Sequence, residues 1–126
     1  MATREIPRDE WVEFCDGFSR QHEGWIGTIE VFGPDIGAQV EARELPFAGI
    51  TAELNAGGGD VITITTREQP ERHVTHTIVS PKKVMLEETE DGAHEALKVE
   101  AVDGTATLLR FRVAVPPETV DGVVSG

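Results

Sequence analysis

The amino-acid sequence predicts a mainly β, α+β fold: one N-terminal α-helix packed on a curved antiparallel meander sheet, or on a small up-and-down β-barrel, of about eight strands. Three observations predict it. Apolar residues recur at helical spacing only near the N-terminus, and after Gly24 the period changes to two and holds to residue 113. The intervals between alternating segments suit antiparallel neighbours and leave no room for a crossover helix. So many strands in 126 residues also favour a curled or closed sheet, because closure removes exposed edges.

Residues 1–6 read as a short extended lead, and the helix is predicted over 8–22. Pro7 stands at its start, where a missing N–H costs nothing. Asp9 and Glu10 in the first turn, and Arg20 and His22 in the last, suit the helix dipole. Trp11, Phe14, Cys15 and Phe18 make one apolar stripe, and Gly24 stops the helix. Gly17 costs about 1 kcal/mol relative to Ala inside a helix, so it is read as a close approach to a neighbour.

The strands follow in order. Trp25, Ile29 and Val31 share a face of the first, which runs to Phe32, and Gly33–Gly37 is a loop. Ala38, Val40 and Ala42 alternate with Gln39, Glu41 and Arg43, and Pro46 then breaks or corners the chain. Ile50, Ala52 and Leu54 face inward, Asn55–Asp60 is a hairpin loop, and Ile62 and Ile64 alternate with threonines before a polar loop at Arg67–Arg72. Val74, His76 and Ile78 share a face. So do Val84, Leu86 and Glu88, beyond a Ser80-Pro81-Lys82 turn. An acidic loop over Thr89–His94 leads to the last and clearest hairpin, Glu95–Val113.

That hairpin carries its own register. A two-residue Asp103-Gly104 turn would set Leu97 against Arg110. A three-residue loop, Val102-Asp103-Gly104 with Gly104 left-handed, pairs Leu97 with Leu109 and Val99 with Thr107. The second choice gathers Leu97, Val99, Ala101, Leu109 and Phe111 on one face and sends Lys98, Glu100, Arg110 and Arg112 to the other. One buried face outweighs an ideal turn, so the bulged loop is predicted. The tail, 114–126, is predicted to be loosely held, and the chain to be one domain over 1–126.

Composition narrows the function classes. The chain carries 23 acidic and 11 basic residues, a net charge of −12, and the basic residues form no stripe. Such a field repels phosphate backbones and anionic lipid, so neither nucleic acid nor membrane is an expected partner. The single cysteine, Cys15, allows no internal disulfide and suits a reducing compartment. With no secretory leader pattern and no apolar run of membrane-spanning length, a cytoplasmic location is the expectation.

The candidate sites are few. His76, between Val74 and Ile78 on the inward face, falls diagonal to the inward-facing Glu88 if Ser80-Pro81-Lys82 is a tight turn. A His and a Glu inside a β cavity bind ligands, move protons or sense pH. A core histidine satisfied by a carboxylate or a backbone carbonyl is the commoner occurrence. Trp25 is a further cavity-lining candidate, though its position also suits the core. Ile26, Phe32 and Val79 face outward and are the candidate interface residues. His73 and His76 point to opposite faces of a strand and do not share an ion. The acidic run Glu87–Glu95 lacks the ligand spacing of a calcium loop, and Gly57-Gly58-Gly59 does not lead from a strand into a helix as a phosphate loop does. No nucleophile–base pattern is present, so no catalytic residue, metal or cofactor is assigned.

Several fragments resemble a small family of uncharacterised bacterial proteins, a domain of unknown function. They are Arg4-Glu5-Ile6-Pro7 with Trp11 and Phe14, His22-Glu23-Gly24-Trp25, the stretch from Gly37 to Arg43 with Leu45-Pro46, and Thr107-Leu108-Leu109-Arg110-Phe111. The resemblance spans nearly the whole chain. It implies a single-domain bacterial protein and brings no activity or catalytic residue with it. The function expected is a non-catalytic binding module for a small, partly apolar ligand inside the curved sheet. The alternative is a structural or interaction domain, homodimeric through a strand edge, and an enzyme of unknown class is third.

Overall fold

The computed structural model describes residues 2–35, 37–55, 59–88 and 94–111. Eight antiparallel strands form one sheet in the order β1-β6-β7-β8-β2-β3-β4-β5, strongly curved and not closed into a barrel. They are β1 (Ala2–Ile6), β2 (Ile26–Gly33), β3 (Gly37–Glu53), β4 (Val61–Gln69), β5 (Arg72–Val79), β6 (Pro81–Glu88), β7 (His94–Ala101) and β8 (Ala106–Phe111). A 3₁₀ turn, Arg8–Glu10, runs into helix α1, Trp11–His22, and Pro7 precedes the turn in extended conformation. The helical stripe packs as its spacing requires: Trp11, Cys15 and Phe18 are buried and Phe14 is half-buried. Trp11 also donates its indole N–H to the Ile6 carbonyl at 2.8 Å.

The strand count matches the expectation for a different reason. The lead segment pairs with β6 as β1, while the two strands expected around Pro46 are one bent strand, β3. Its first half pairs with β2 as far as Pro46, and its second half pairs with β4 from Phe47 onward. Pro46 therefore corners the chain without breaking it. Residues on the inner faces of the two halves meet in one core, where Ile50, Ile62 and Ile64 join Leu97, Leu109 and Phe111. A register shift on β3 between its partners Ile29 and Glu30 changes one expected face. Ala42 is buried as expected, but Val40 is 40% exposed.

Bending β3 leaves the outer edge of its second half without a strand. The helix supplies the missing partner. Ser19 Oγ accepts from the Ile50 N–H at 2.8 Å and donates to the Ile50 carbonyl at 2.9 Å. At Phe47 the N–H donates to the Trp25 carbonyl at 2.7 Å, and the carbonyl accepts from the Gly24 N–H at 2.8 Å. Covering an edge with a helix is one of the standard protections against unwanted pairing.

The chain is not a simple meander, and the expected Ser80-Pro81-Lys82 hairpin does not form. β5 pairs only with β4, and β6 lies between β1 and β7. The cause is local. Ser80 has φ 54°, its N–H donates to the Asp60 carbonyl at 3.0 Å, and its carbonyl accepts from the Val102 N–H at 2.9 Å. These bonds carry the chain from one half of the folded sheet to the other instead of reversing it. Asp60 anchors the same junction: Arg8 donates to both its carboxylate oxygens, at 2.6 and 2.9 Å, and the Asn55 N–H adds a third bond at 2.9 Å.

The last hairpin has the predicted register. Leu97 faces Leu109, Val99 faces Thr107, and Gly104 is left-handed at φ 93°. Gly17, in contrast, makes no close approach. A Cβ there would meet only the Arg20 guanidinium, 4.0 Å away. The expected tail at 114–126, Arg112, the glycines at 56–58 and most of the acidic loop at 89–94 lie outside the described residues. No helix among the described residues is long and apolar enough to cross a membrane.

Candidate functional site

Val74, His76 and Ile78 lie on the inner face of β5, and β5 ends one side of the sheet. The other wall of the resulting slot is the β7–β8 hairpin. Its loop and first inward residues, Ala101, Asp103, Thr105 and Thr107, look across at His76 and Ile78, with Val31 of β2 at the base. The slot has a volume of about 190 Å³, room for about six waters.

Its polar groups are sparse and oriented. His76 Nε2 lies 3.3 Å from Thr107 Oγ1, and Thr107 is 3% exposed. Burial lowers the His76 pKa from its ordinary value, opposed by the negative charge of Glu41. The ring is therefore neutral at pH 7, with one nitrogen engaged by Thr107 and Nδ1 without a hydrogen-bond partner among the described residues. A neutral imidazole beside a hydroxyl presents one donor and one acceptor, whichever tautomer holds. At the lip, the Asp103 carboxylate accepts from the Thr105 N–H at 2.9 Å and from the Thr105 hydroxyl. Those bonds lower the Asp103 pKa and keep a negative charge at the entrance.

The structure separates the three residues that sequence reasoning grouped. Glu88 is at the far end of β6, 3.6 Å from Arg4 on β1. Without the tight turn it has no route to His76. Trp25 belongs to an aromatic cluster at the end of α1, with its ring 4.5 Å from His22 and 5.3 Å from Phe111. His22, in the last turn of the helix as expected, is buried there, stacked on Phe111 at 5.1 Å and donating from Nδ1 to the Phe18 carbonyl at 2.8 Å. Of the outward candidates, Ile26 is half-buried against Pro46, whereas Phe32 and Val79 are 37% and 64% exposed.

Thr107 was the residue missed. The predicted register already placed it inward, opposite Val99, and a polar residue at an inward strand position was the signal that marked it. Cys15 has no reactive character: burial, reinforced by Asp16, pushes its thiol up to about 12. A larger depression, about 300 Å³, lies around Thr28, Glu30, Arg43, Glu44 and Arg110. It carries the 2.9 Å Arg110–Glu30 ion pair and is more polar than the slot at His76. A third, of about 250 Å³, runs over Phe32, Ala106 and Leu108 on the outer face. No group of three potential metal-ligating side chains is found among the described residues.

The profile of a family of unknown function, DUF5335, matches residues 2–120. The chain belongs to the DUF5335 family. A relative from Aquifex aeolicus (strain VF5), described as an uncharacterized protein, is 33% identical over 116 residues, covering 92% of this chain and 97% of the relative. No solved structure matches. DUF5335 membership thus extends over the helix, every strand and the slot, and assigns no activity to any of them.

Proposed function

We propose that this DUF5335 chain is a non-catalytic binding module that takes a small, partly apolar, uncharged or cationic molecule into the slot between β5 and the β7–β8 hairpin. The observation that supports it is the His76–Thr107 pair: a neutral ring whose second nitrogen has no hydrogen-bond partner among the described residues, set among Val31, Ile78 and Ala101 in a slot open to solvent. A few polar groups converging on an apolar concavity is the usual make-up of a small-molecule site. Charge decides the ligand class. Asp103 at the lip, Glu41 near His76 and a net charge of −12 oppose an anion. The volume limits the ligand to a single small ring or a short chain.

Benzyl alcohol, benzylamine and benzoate make a matched set of probes, alike in size and different in charge. Titrated into labelled protein, the first two are expected to shift the His76 imidazole and the Thr105 and Thr107 signals, and benzoate is expected not to. His76→Phe should abolish the shifts at Thr105 and Thr107 while the protein stays folded. Shifts confined to Phe32 and Leu108, or equal shifts from all three probes, would refute the assignment.

A further inference from the structure

The outer face of the sheet carries a second concavity whose chemistry differs from that of the slot. Strand β3 departs twice from regular pairing with β2: Glu41 is an extra residue between the partners of Ile29 and Glu30, and Arg43 and Glu44 together stand opposite Thr28. Strict alternation sends consecutive residues to opposite faces. The second bulge instead brings Arg43 and Glu44 to one depression of about 300 Å³, shared with Val40, with Thr28 and Glu30 of β2 and with Arg110 of β8. The backbone is strained to achieve this. Glu44 is left-handed at φ 48°, a costly conformation for any residue but glycine, and its N–H donates to Thr28 Oγ1 at 3.1 Å. Bulges and strained residues gather where a side chain must be aimed.

Two guanidiniums and two carboxylates line this depression, so its own charge balances, in a chain whose net charge of −12 repels anions. Arg110 is committed: it donates to Glu30 Oε1 at 2.9 Å. The Arg43 guanidinium, Glu30 Oε2 and the Thr28 hydroxyl proton have no hydrogen-bond partner among the described residues. A guanidinium together with a hydroxyl donor receives a carboxylate, and a carboxylate oxygen receives an ammonium. Val40, 40% exposed, adds apolar surface. We propose that the depression binds a small zwitterion of the α-amino acid class, its carboxylate on Arg43 and Thr28, its ammonium on Glu30 and its apolar side chain over Val40. The volume has room for about ten waters, which suits an amino acid of middle size. No residue of this depression lines the His76 slot, so the two sites are independent.

L-Leucine, N-acetyl-L-leucine and L-leucine methyl ester share a side chain and differ in charge, as zwitterion, anion and cation. Titrated into labelled protein, leucine is expected to shift the amides of Thr28, Glu44 and Arg110 and the Arg43 side-chain signal to saturation. Each derivative lacks one of the two charged contacts and should bind about tenfold more weakly or worse. The Thr105 and Thr107 signals, which report on the slot, should not move with leucine. Arg43→Gln should weaken leucine binding by a similar factor at an unchanged thermal midpoint, since Arg43 is exposed and makes no bond within the described fold. Arg67→Gln removes the same charge from an exposed position on β4 and should bind leucine as the parent does. No saturable response to leucine at these signals, an equal response to either derivative, or an equal loss in Arg43→Gln and Arg67→Gln would overturn the proposal. The benzyl probes report on the slot, so either site can fail without the other.

Discussion

Removing one hydroxyl, Ser19→Ala, tests how the sheet closes its own edge. Ser19 Oγ makes two bonds to one residue, accepting from the Ile50 N–H at 2.8 Å and donating to the Ile50 carbonyl at 2.9 Å, and Ile50 is 1% exposed. Alanine leaves both backbone groups buried without a partner. An unsatisfied buried donor costs about 1–3 kcal/mol, and an under-satisfied carbonyl costs less. Alanine's better helix propensity returns roughly 0.5 kcal/mol. The net loss is about 1–3 kcal/mol, a large share of the roughly 5–15 kcal/mol that holds a domain together. For a chain of this size it corresponds to a fall of about 4–12 °C in thermal midpoint. Thermal and urea unfolding measure the total, and hydrogen exchange at the Ile50 amide reports the site itself, which should lose protection before its neighbours do. Ser19→Thr, which keeps the hydroxyl, should behave more like the parent. A midpoint within about 2 °C of the parent, with Ile50 still protected, would refute the claim that the helix serves as the missing strand.

Three further outcomes are expected. The Arg8 hydrogen bonds, with the Asn55 N–H, lower the Asp60 pKa to about 2, so this carboxylate contributes stability that is complete above its ordinary range and lost as pH falls through about 2. In Asp60→Asn the midpoint should be lower at neutral pH, and its decline below about pH 4 shallower. His76 is held neutral by burial. The unfolded chain therefore binds the proton more readily, stability rises with pH through the region just below about 6.5, and acidification from neutral pH costs stability that His76→Phe should spare. Gly17→Ala fills space that meets only the Arg20 guanidinium at 4.0 Å, so it should stabilise the protein by up to about 1 kcal/mol in urea unfolding.

Much of the candidate site was legible one residue at a time. The inward parity of His76, between Val74 and Ile78, follows from alternation alone, and so does that of Thr107, once the Val102-Asp103-Gly104 loop sets Leu97 against Leu109. The pair itself was not legible. β5 and β8 are far apart in sheet order, and they meet only because the sheet folds over at β3. Local pattern places a side chain on a face. It does not say which distant face lies opposite.

The sequence by itself determined the period of each segment, hence the amphipathic helix, the strands, and the bulged register of the last hairpin, because each depends on near neighbours and on one face being apolar. Tertiary structure decided what those signals do not encode. Ser80 has no local pattern to announce that its N–H and carbonyl are taken by Asp60 and Val102, so the hairpin expected there gave way to a crossing between the halves. The crossing moved Glu88 away from His76 and toward Arg4. Nothing in the helix pattern marks Ser19 or His22 for the core; the bend in β3 brings unpaired backbone to the first, and aromatic rings surround the second. The physical reason is common to all of these. Backbone groups left unpaired by curvature must find partners, and which groups are left is known only once the sheet has curved.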